Sequence, residues 1–501
     1  MMKRRNFLKS ASGLWAACGM PLTYSVSGMM SAAHAAPIPY DAADLSFTAP
    51  NVMPQIINIF LYGGPSELAG NLTNILEIEQ HSFSRYPDFL VNKNGSSDPA
   101  NWTLGEAVTQ NGFWGNDSNG DNGAGGNIME SMLANNQMTM FRTLFRRQNQ
   151  TRSHRESIFI NQKGNINVEG TPGIGTRVAQ LFDKLNFSNS QFADGTSVGN
   201  VQDQLVLPFI SFERNSTAFA PDTEFPLDDL RLRALDMDTN FDNPFSRRAN
   251  PLVNDQGRET SLEALAQAQA NAAGGRFAQA RLSLNERDQM DNNITNLDLD
   301  ANTRTFGANY PDTNSGRAIR AAVTLAVENP QSLFISVGNA FGGWDDHNSS
   351  FDRYPDNMTA VMESLQAAAN HIQSANNASI NGRTRTTDNI VINVFGEFGR
   401  LANLNGSEGW DHGNNQILYT LGGTAYNRQM GKLIGRTEIG GNRGTNNMFM
   451  QPLTTGSQAD GFSIEPMSIA ASTYSYFGVS DPRIITNNEM PIDFSQPSVR
   501  V

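Results

Sequence analysis

Cysteine is almost missing from this chain: of 501 residues only Cys18 carries a thiol. Cys18 sits in an N-terminal segment that reads as removable, and without it disulfides and thiolate-held metals are excluded. Positive charge is also short. Lys and Arg number 36 against 49 Asp and Glu, giving a net charge of −13. An acidic surface disfavours nucleic acid and anionic membranes, so an anionic substrate would need local positive charge from a metal or an arginine. No apolar stretch is long and clean enough for a stable membrane span; the best, from Leu14 to Met30, is broken by Pro21 and several Ser and Gly. Internal repeats and low-complexity tracts are absent as well. Histidine is scarce, with six in the chain, so the places where histidines gather carry information.

The N-terminus carries a targeting pattern. Arg4-Arg5 precede Phe7-Leu8, a moderately apolar stretch follows, and Ala33-His34-Ala35 offers small residues where a signal peptidase reads. This is the pattern of a twin-arginine signal peptide over residues 1–35, with the twin-arginine export machinery as partner and a periplasmic or secreted destination. A basic N-terminal helix or membrane anchor is the competing reading. Trp15-Ala16-Ala17-Cys18 resembles a lipoprotein cleavage site only loosely, because the usual leucine stands at Leu14. Cleavage after Ala35 leaves 466 of the 501 residues and, with four cations gone, a net charge of −17. Apolar content of 39% is modest but globular, and abundant Asn, Gly and Ser imply long surface loops.

Strand signals punctuate the rest. Gln55–Tyr62 is a strongly apolar run closed by Gly63-Gly64-Pro65-Ser66. Met138–Phe141 and Leu205–Phe212 are further candidates. The polar stretch 93–127 contains Asp117 and Asp121 in a calcium-loop-like run, but it lacks the glycine and glutamate that an EF-hand needs, so it reads as a solvated loop. Residues 260–293 are helical in pattern, with Thr260 and Glu263 as a capping box and Gly274-Gly275 as a break. Residues 220–300 are therefore expected to be a helical insertion on one α/β domain spanning 36–501. From Arg317 onward a helix, a strand near 333–337, a second helix over about 358–374 and a strand at 390–395 alternate. That rhythm implies right-handed crossovers and a mainly parallel sheet.

Two clusters follow the last two strands: Gly342-Gly-Trp-Asp-Asp-His347 and Gly409-Trp-Asp-His-Gly413, the second preceded by Gly396-Glu-Phe-Gly-Arg400. Carboxylate and imidazole suit divalent metals, and open α/β sheets place their sites at the carboxyl ends of strands. Asp345, Asp346, His347, Asp411 and His412 are thus candidate metal ligands, against a plain hydrogen-bonded loop network. Glu397 is either a ligand or an ion-pair partner of Arg400. Arg400 either binds an anionic oxygen or serves that ion pair or a helix cap. Ser66 is either a nucleophile or a helix N-cap. His154, in Arg152-Ser-His-Arg155, is a candidate ligand or acid/base group. His81 and His371 have no such setting and read as surface residues, and the rings of Trp344 and Trp410 are expected beneath the loops. Although they span nearly 70 residues, Asp345, His347, Glu397, Asp411 and His412 are expected to converge on one pocket.

Taken in order, Phe60–Ser66, Gly342–His347, Gly396–Arg400 and Trp410–Gly413, behind a twin-arginine leader, resemble the exported bacterial family called domain of unknown function 1501, which is grouped with the alkaline phosphatase and sulfatase superfamily. The resemblance spans roughly residues 54–480 and is closest from 317 onward. It implies an alkaline-phosphatase-like α/β sandwich with a mainly parallel central sheet and helices on both faces. It also implies metals held by Asp, Glu and His at strand ends, and a hydroxyl nucleophile. Asp345, His347, Glu397, Arg400, Asp411, His412 and Ser66 match the family's motifs. Asp346 stands where the family usually has Thr. Relatives often place an Asp two to four residues after the serine, where this chain has Leu68, Ala69 and Gly70. The expectation is an exported hydrolase of phosphate or sulfate esters that uses zinc, manganese, magnesium or calcium on a small anionic ester. The alternative is a non-catalytic exported protein that binds a metal or a partner on the same fold.

Overall fold

The structure, a computed structural model, describes residues 40–66, 91–92, 94–98, 101–115, 123–201, 205–213, 216–227, 232, 234–236, 304–402, 404–440 and 449–499. The leader over 1–35, His81, residues 68–70, the run 116–121 and the expected helices of 260–293 lie outside them. Tyr40–Val501 forms one compact unit.

An eight-stranded sheet organises the described residues. Its strands are β1 (Gln55–Leu61), β2 (Met138–Phe145), β3 (Phe209–Ser211), β4 (Leu235–Asp236), β5 (Phe334–Val337), β6 (Ile390–Gly396), β7 (Asn415–Gly422) and β8 (Leu433–Ile434). Their order is β8-β2-β7-β6-β1-β5-β3-β4. From β6 to β4 every pairing is parallel, as is β8 with β2; β7 runs antiparallel to both its neighbours. The sheet is therefore mainly parallel, with one reversed strand. β1 and β6 are buried at every position, which is why they read as unbroken apolar runs and not as alternating strands.

Alternation reappears in where the side chains go. Ile57, Ile59 and Leu61 pack with α1 (Gly126–Ala134), α4 (Asn314–Glu328) and α5 (Ser350–Ala375). Ile56 packs on the other face with α3 (Ile174–Lys184) and α6 (Pro466–Tyr476), and Phe60 with Ile469 of α6. Helices thus cover both faces of the sheet. A further helix, α2 (His154–Lys163), enters at the carboxyl end of the sheet. Helix α4 starts where Thr313 Oγ1 accepts the Gly316 N–H at 3.0 Å.

One expectation is corrected by burial. His371 is not on the surface: it lies at 0% exposure on α5, in a stripe with Ser364, Ala368 and Ala375 that faces the core. Its ring stands against Phe306 and Tyr310, and Nδ1 is 3.1 Å from the Tyr310 hydroxyl. Burial lowers its pKa to about 4.

Candidate metal centre

Three loops at the carboxyl ends of β1, β5 and β6 build the site, and Arg400 ties them together. Its side chain is fully buried. Nε donates to Gly64 O at 2.8 Å, Nη1 to Trp410 O at 2.9 Å, and Nη2 to Trp344 O at 2.7 Å and Asp345 Oδ1 at 3.0 Å. Nη2 also donates to Gly63 O. At 0% exposure this guanidinium is out of reach of a substrate anion. It binds peptide carbonyls and the Asp345 carboxylate.

Two glycines permit the close approach. Gly63 has φ +102°, and a Cβ there would stand 2.5 Å from Asp345 N. At Gly409 a Cβ would stand 2.0 Å from the His347 carbonyl carbon. The two Gly-Trp-Asp segments are accordingly laced to each other: Trp410 N donates to Asp346 O at 2.7 Å and Asn405 Nδ2 to His347 O at 2.9 Å. Beneath them Trp344 and Trp410, buried at 0% and 1%, pack on either side of Tyr354.

On this frame His154, Asp345, His347 and His412 each present one ligand atom, all within 4.8 Å of one another. Asp345 Oδ1 lies 3.1 Å from His347 Nε2 and 3.5 Å from Nε2 of both His154 and His412. His347 Nε2 and His412 Nε2 are 3.0 Å apart. The cluster opens to solvent, with the His154, His347 and Asp345 side chains 39%, 41% and 50% exposed.

Each imidazole is oriented through its other nitrogen. His154 Nδ1 meets Glu397 Oε2 at 2.6 Å, and the other oxygen of Glu397 accepts the Gly63 N–H at 2.7 Å. His347 Nδ1 meets Asp411 Oδ1 at 2.8 Å, which also accepts from Asn405 Nδ2 at 3.1 Å. His412 Nδ1 meets the carbonyl of Arg152 at 2.7 Å. Phe398 backs the ring of His412 with centroids 4.2 Å apart.

The pKa directions follow. Burial raises Glu397 against the opposing bonds from Gly63 and His154. Burial also pushes Asp345 and Asp411 upward but is outweighed: the hydrogen bond and charge of Arg400 lower Asp345, and bonds from His347 and Asn405 lower Asp411. Burial lowers His412 against the opposing bond to the Arg152 carbonyl, with the charge of Arg400 adding to the lowering.

A cation fits this donor set. The oxygens facing the three Nδ1 atoms accept protons, so each Nδ1 carries its hydrogen and each Nε2 presents a lone pair. Two such lone pairs 3.0 Å apart repel unless a cation lies between them. Donors at ~2.0–2.1 Å around a tetrahedral ion stand ~3.3 Å from one another; the Asp345 and His347–His412 separations of 3.0–3.5 Å bracket that value.

The structure brings Asp345, His347, Glu397, Asp411 and His412 together, with His154 added from α2. Within that assembly Glu397 and Asp411 touch imidazole Nδ1 atoms and lie outside the ligand group. Asp346 points away: it is 1% exposed, Oδ1 accepts from Arg353 at 2.9 Å, and burial raises its pKa. Ser66 is not joined to the cluster. It is 2% exposed, its Oγ has no hydrogen-bond partner among the described residues, and its carbonyl accepts from Tyr354. His154 was only faintly marked in the sequence, by its Arg-Ser-His-Arg setting and by the histidine that the resembling family tends to have there.

No family model and no curated protein matches this chain. Among solved structures, the phosphonate monoester hydrolase SpPMH from Silicibacter pomeroyi aligns over 88% of this chain and 78% of its own, at 8% identity and a TM-score of 0.28. At that score the likeness carries no argument about chemistry. The family resemblance rests on the short motifs.

Proposed function

We propose that the chain is an exported, metal-dependent hydrolase of phosphate or sulfate esters, on an alkaline-phosphatase-like sandwich. The observation that carries the metal is the 3.0 Å approach of His347 Nε2 to His412 Nε2, with both Nδ1 atoms already bound to oxygen. His154, His347, His412 and Asp345 would hold the ion, and the ion supplies the positive charge that polarises an ester oxygen. The half-exposed rings of His154 and His347 leave room for a small anionic ester, which the acidic chain cannot otherwise attract. Glu397 and Asp411 keep the Nδ1 protons in place, and Arg400 holds Asp345 in register. Since Ser66 is buried and its Oγ makes no hydrogen bond to the cluster, attack is assigned to a solvent water in preference to the serine. The ester and export assignments rest on the motif resemblance and the Arg4-Arg5 leader. A non-catalytic metal-binding role is favoured by one observation, the lack of a carboxylate at Leu68, Ala69 and Gly70.

The test is turnover of aryl phosphate, phosphodiester and sulfate esters by protein loaded with zinc, manganese, magnesium or calcium, with Ser66→Ala alongside. The expected result is turnover that Ser66→Ala leaves within about twofold and His412→Ala removes. Failure of every ester with every ion would replace the hydrolase by the binding role. Loss of turnover in Ser66→Ala with metal retained would restore the serine as nucleophile.

A further inference from the structure

The donor set says more than that a cation binds. Three of its four members are imidazole nitrogens, and its one oxygen, Asp345 Oδ1, is already shared with Arg400 Nη2 at 3.0 Å. Magnesium demands a near-octahedral shell of oxygens, and calcium takes six to eight oxygens. Imidazole suits zinc and its later first-row neighbours. We infer that His154, His347, His412 and Asp345 form a site selective for a zinc-class divalent ion over magnesium and calcium, with Glu397 and Asp411 as the positioning residues that keep His154 and His347 in the ligating tautomer. The inference rests on the metal half of the reading above and is independent of its hydrolytic half.

The positioning role follows from tautomers. An imidazole offers a nitrogen lone pair inward only while its other nitrogen keeps the proton. Glu397 Oε2 and Asp411 Oδ1 hold that proton on Nδ1 of His154 and His347. Glu397→Gln can still accept the Gly63 N–H through its amide oxygen, so the loop stays anchored. Its amide NH₂, however, donates toward His154 Nδ1, drawing the lone pair there and turning the Nε2 proton into the cluster. At Asp411 one oxygen, Oδ1, accepts from both His347 Nδ1 and Asn405 Nδ2, and an asparagine oxygen would keep both bonds; Asp411→Leu instead removes the acceptor that holds the His347 proton on Nδ1. Each change acts on ligand quality with little change of shape.

The experiment uses the purified chain, stripped with a chelator and titrated calorimetrically with zinc, cobalt, manganese, magnesium and calcium chlorides. Visible absorption of the cobalt-loaded protein reports nitrogen coordination. One zinc or cobalt ion per chain is expected, not displaced by millimolar magnesium or calcium. Glu397→Gln and Asp411→Leu should each weaken zinc binding about 10- to 100-fold, with the urea midpoint of the stripped protein little changed. His347→Ala should abolish binding. Displacement of zinc by magnesium or calcium would overturn the inference, as would wild-type zinc affinity in both carboxylate variants. Tight zinc binding without ester turnover would remove the hydrolase and leave the inference standing.

Discussion

Replacing Arg400 by methionine, which keeps length and removes every donor, tests whether one buried side chain holds the site's three loops. The variant leaves the carbonyls of Gly63, Gly64, Trp344 and Trp410 without the guanidinium, together with the Asp345 carboxylate. These positions are buried, apart from half-exposed Asp345. An orphaned buried acceptor costs about 1–3 kcal/mol, and relaxation toward water recovers part of it. The Trp344 carbonyl keeps the Asp346 N–H at 2.9 Å, so with the Gly63, Gly64 and Trp410 carbonyls orphaned a loss of about 4 kcal/mol is expected, toward the upper end for single substitutions. Removing the desolvation of a buried cation offsets some of this, since burial already lowers the Arg400 pKa. Arg400→Lys should fall between, because an ammonium is a point donor and cannot fork across carbonyls on separate loops. Urea unfolding of wild type, Lys and Met variants at one pH measures the order. A Met variant within about 1 kcal/mol of wild type would refute the reasoning, and so would a Lys variant indistinguishable from wild type.

Two further outcomes are expected. Buried His371 has a folded pKa of about 4 against 6.5 for the free side chain, so the unfolded chain takes up its proton first. Its contribution is therefore complete above pH 6.5 and is lost as pH falls toward 4, by about 3 kcal/mol in total; His371→Asn should flatten that limb of the stability–pH curve, and an unchanged slope would contradict the burial argument. Replacing Arg4 and Arg5 by lysine should leave full-length precursor in the cytoplasm, whereas a shortened product outside it, seen by fractionation and mass analysis, would count against the twin-arginine assignment.

What the sequence determined by itself was the skeleton of the sheet and the neighbourhood of the site. β1, β5 and β6 are legible because strands buried on both faces must be apolar throughout, and the helix–strand rhythm after Arg317 forces parallel crossovers. The two Gly-Trp-Asp segments are legible because so few histidines exist to place. The reversed direction of β7 was not readable, since residue pattern records which face a side chain takes and not which way its strand runs. Helix α2 and the weight of His154 were hidden too, because its partners, Glu397, Asp345 and His412, lie about 190–260 residues away in the chain. Only the tertiary structure divided the carboxylates by role: Asp345 faces the cluster, Glu397 and Asp411 face the backs of imidazoles, and Asp346 faces Arg353. The residue types are the same at all four places. Their difference lies in a few ångströms of loop position, fixed by a buried arginine and by two glycines where no Cβ fits.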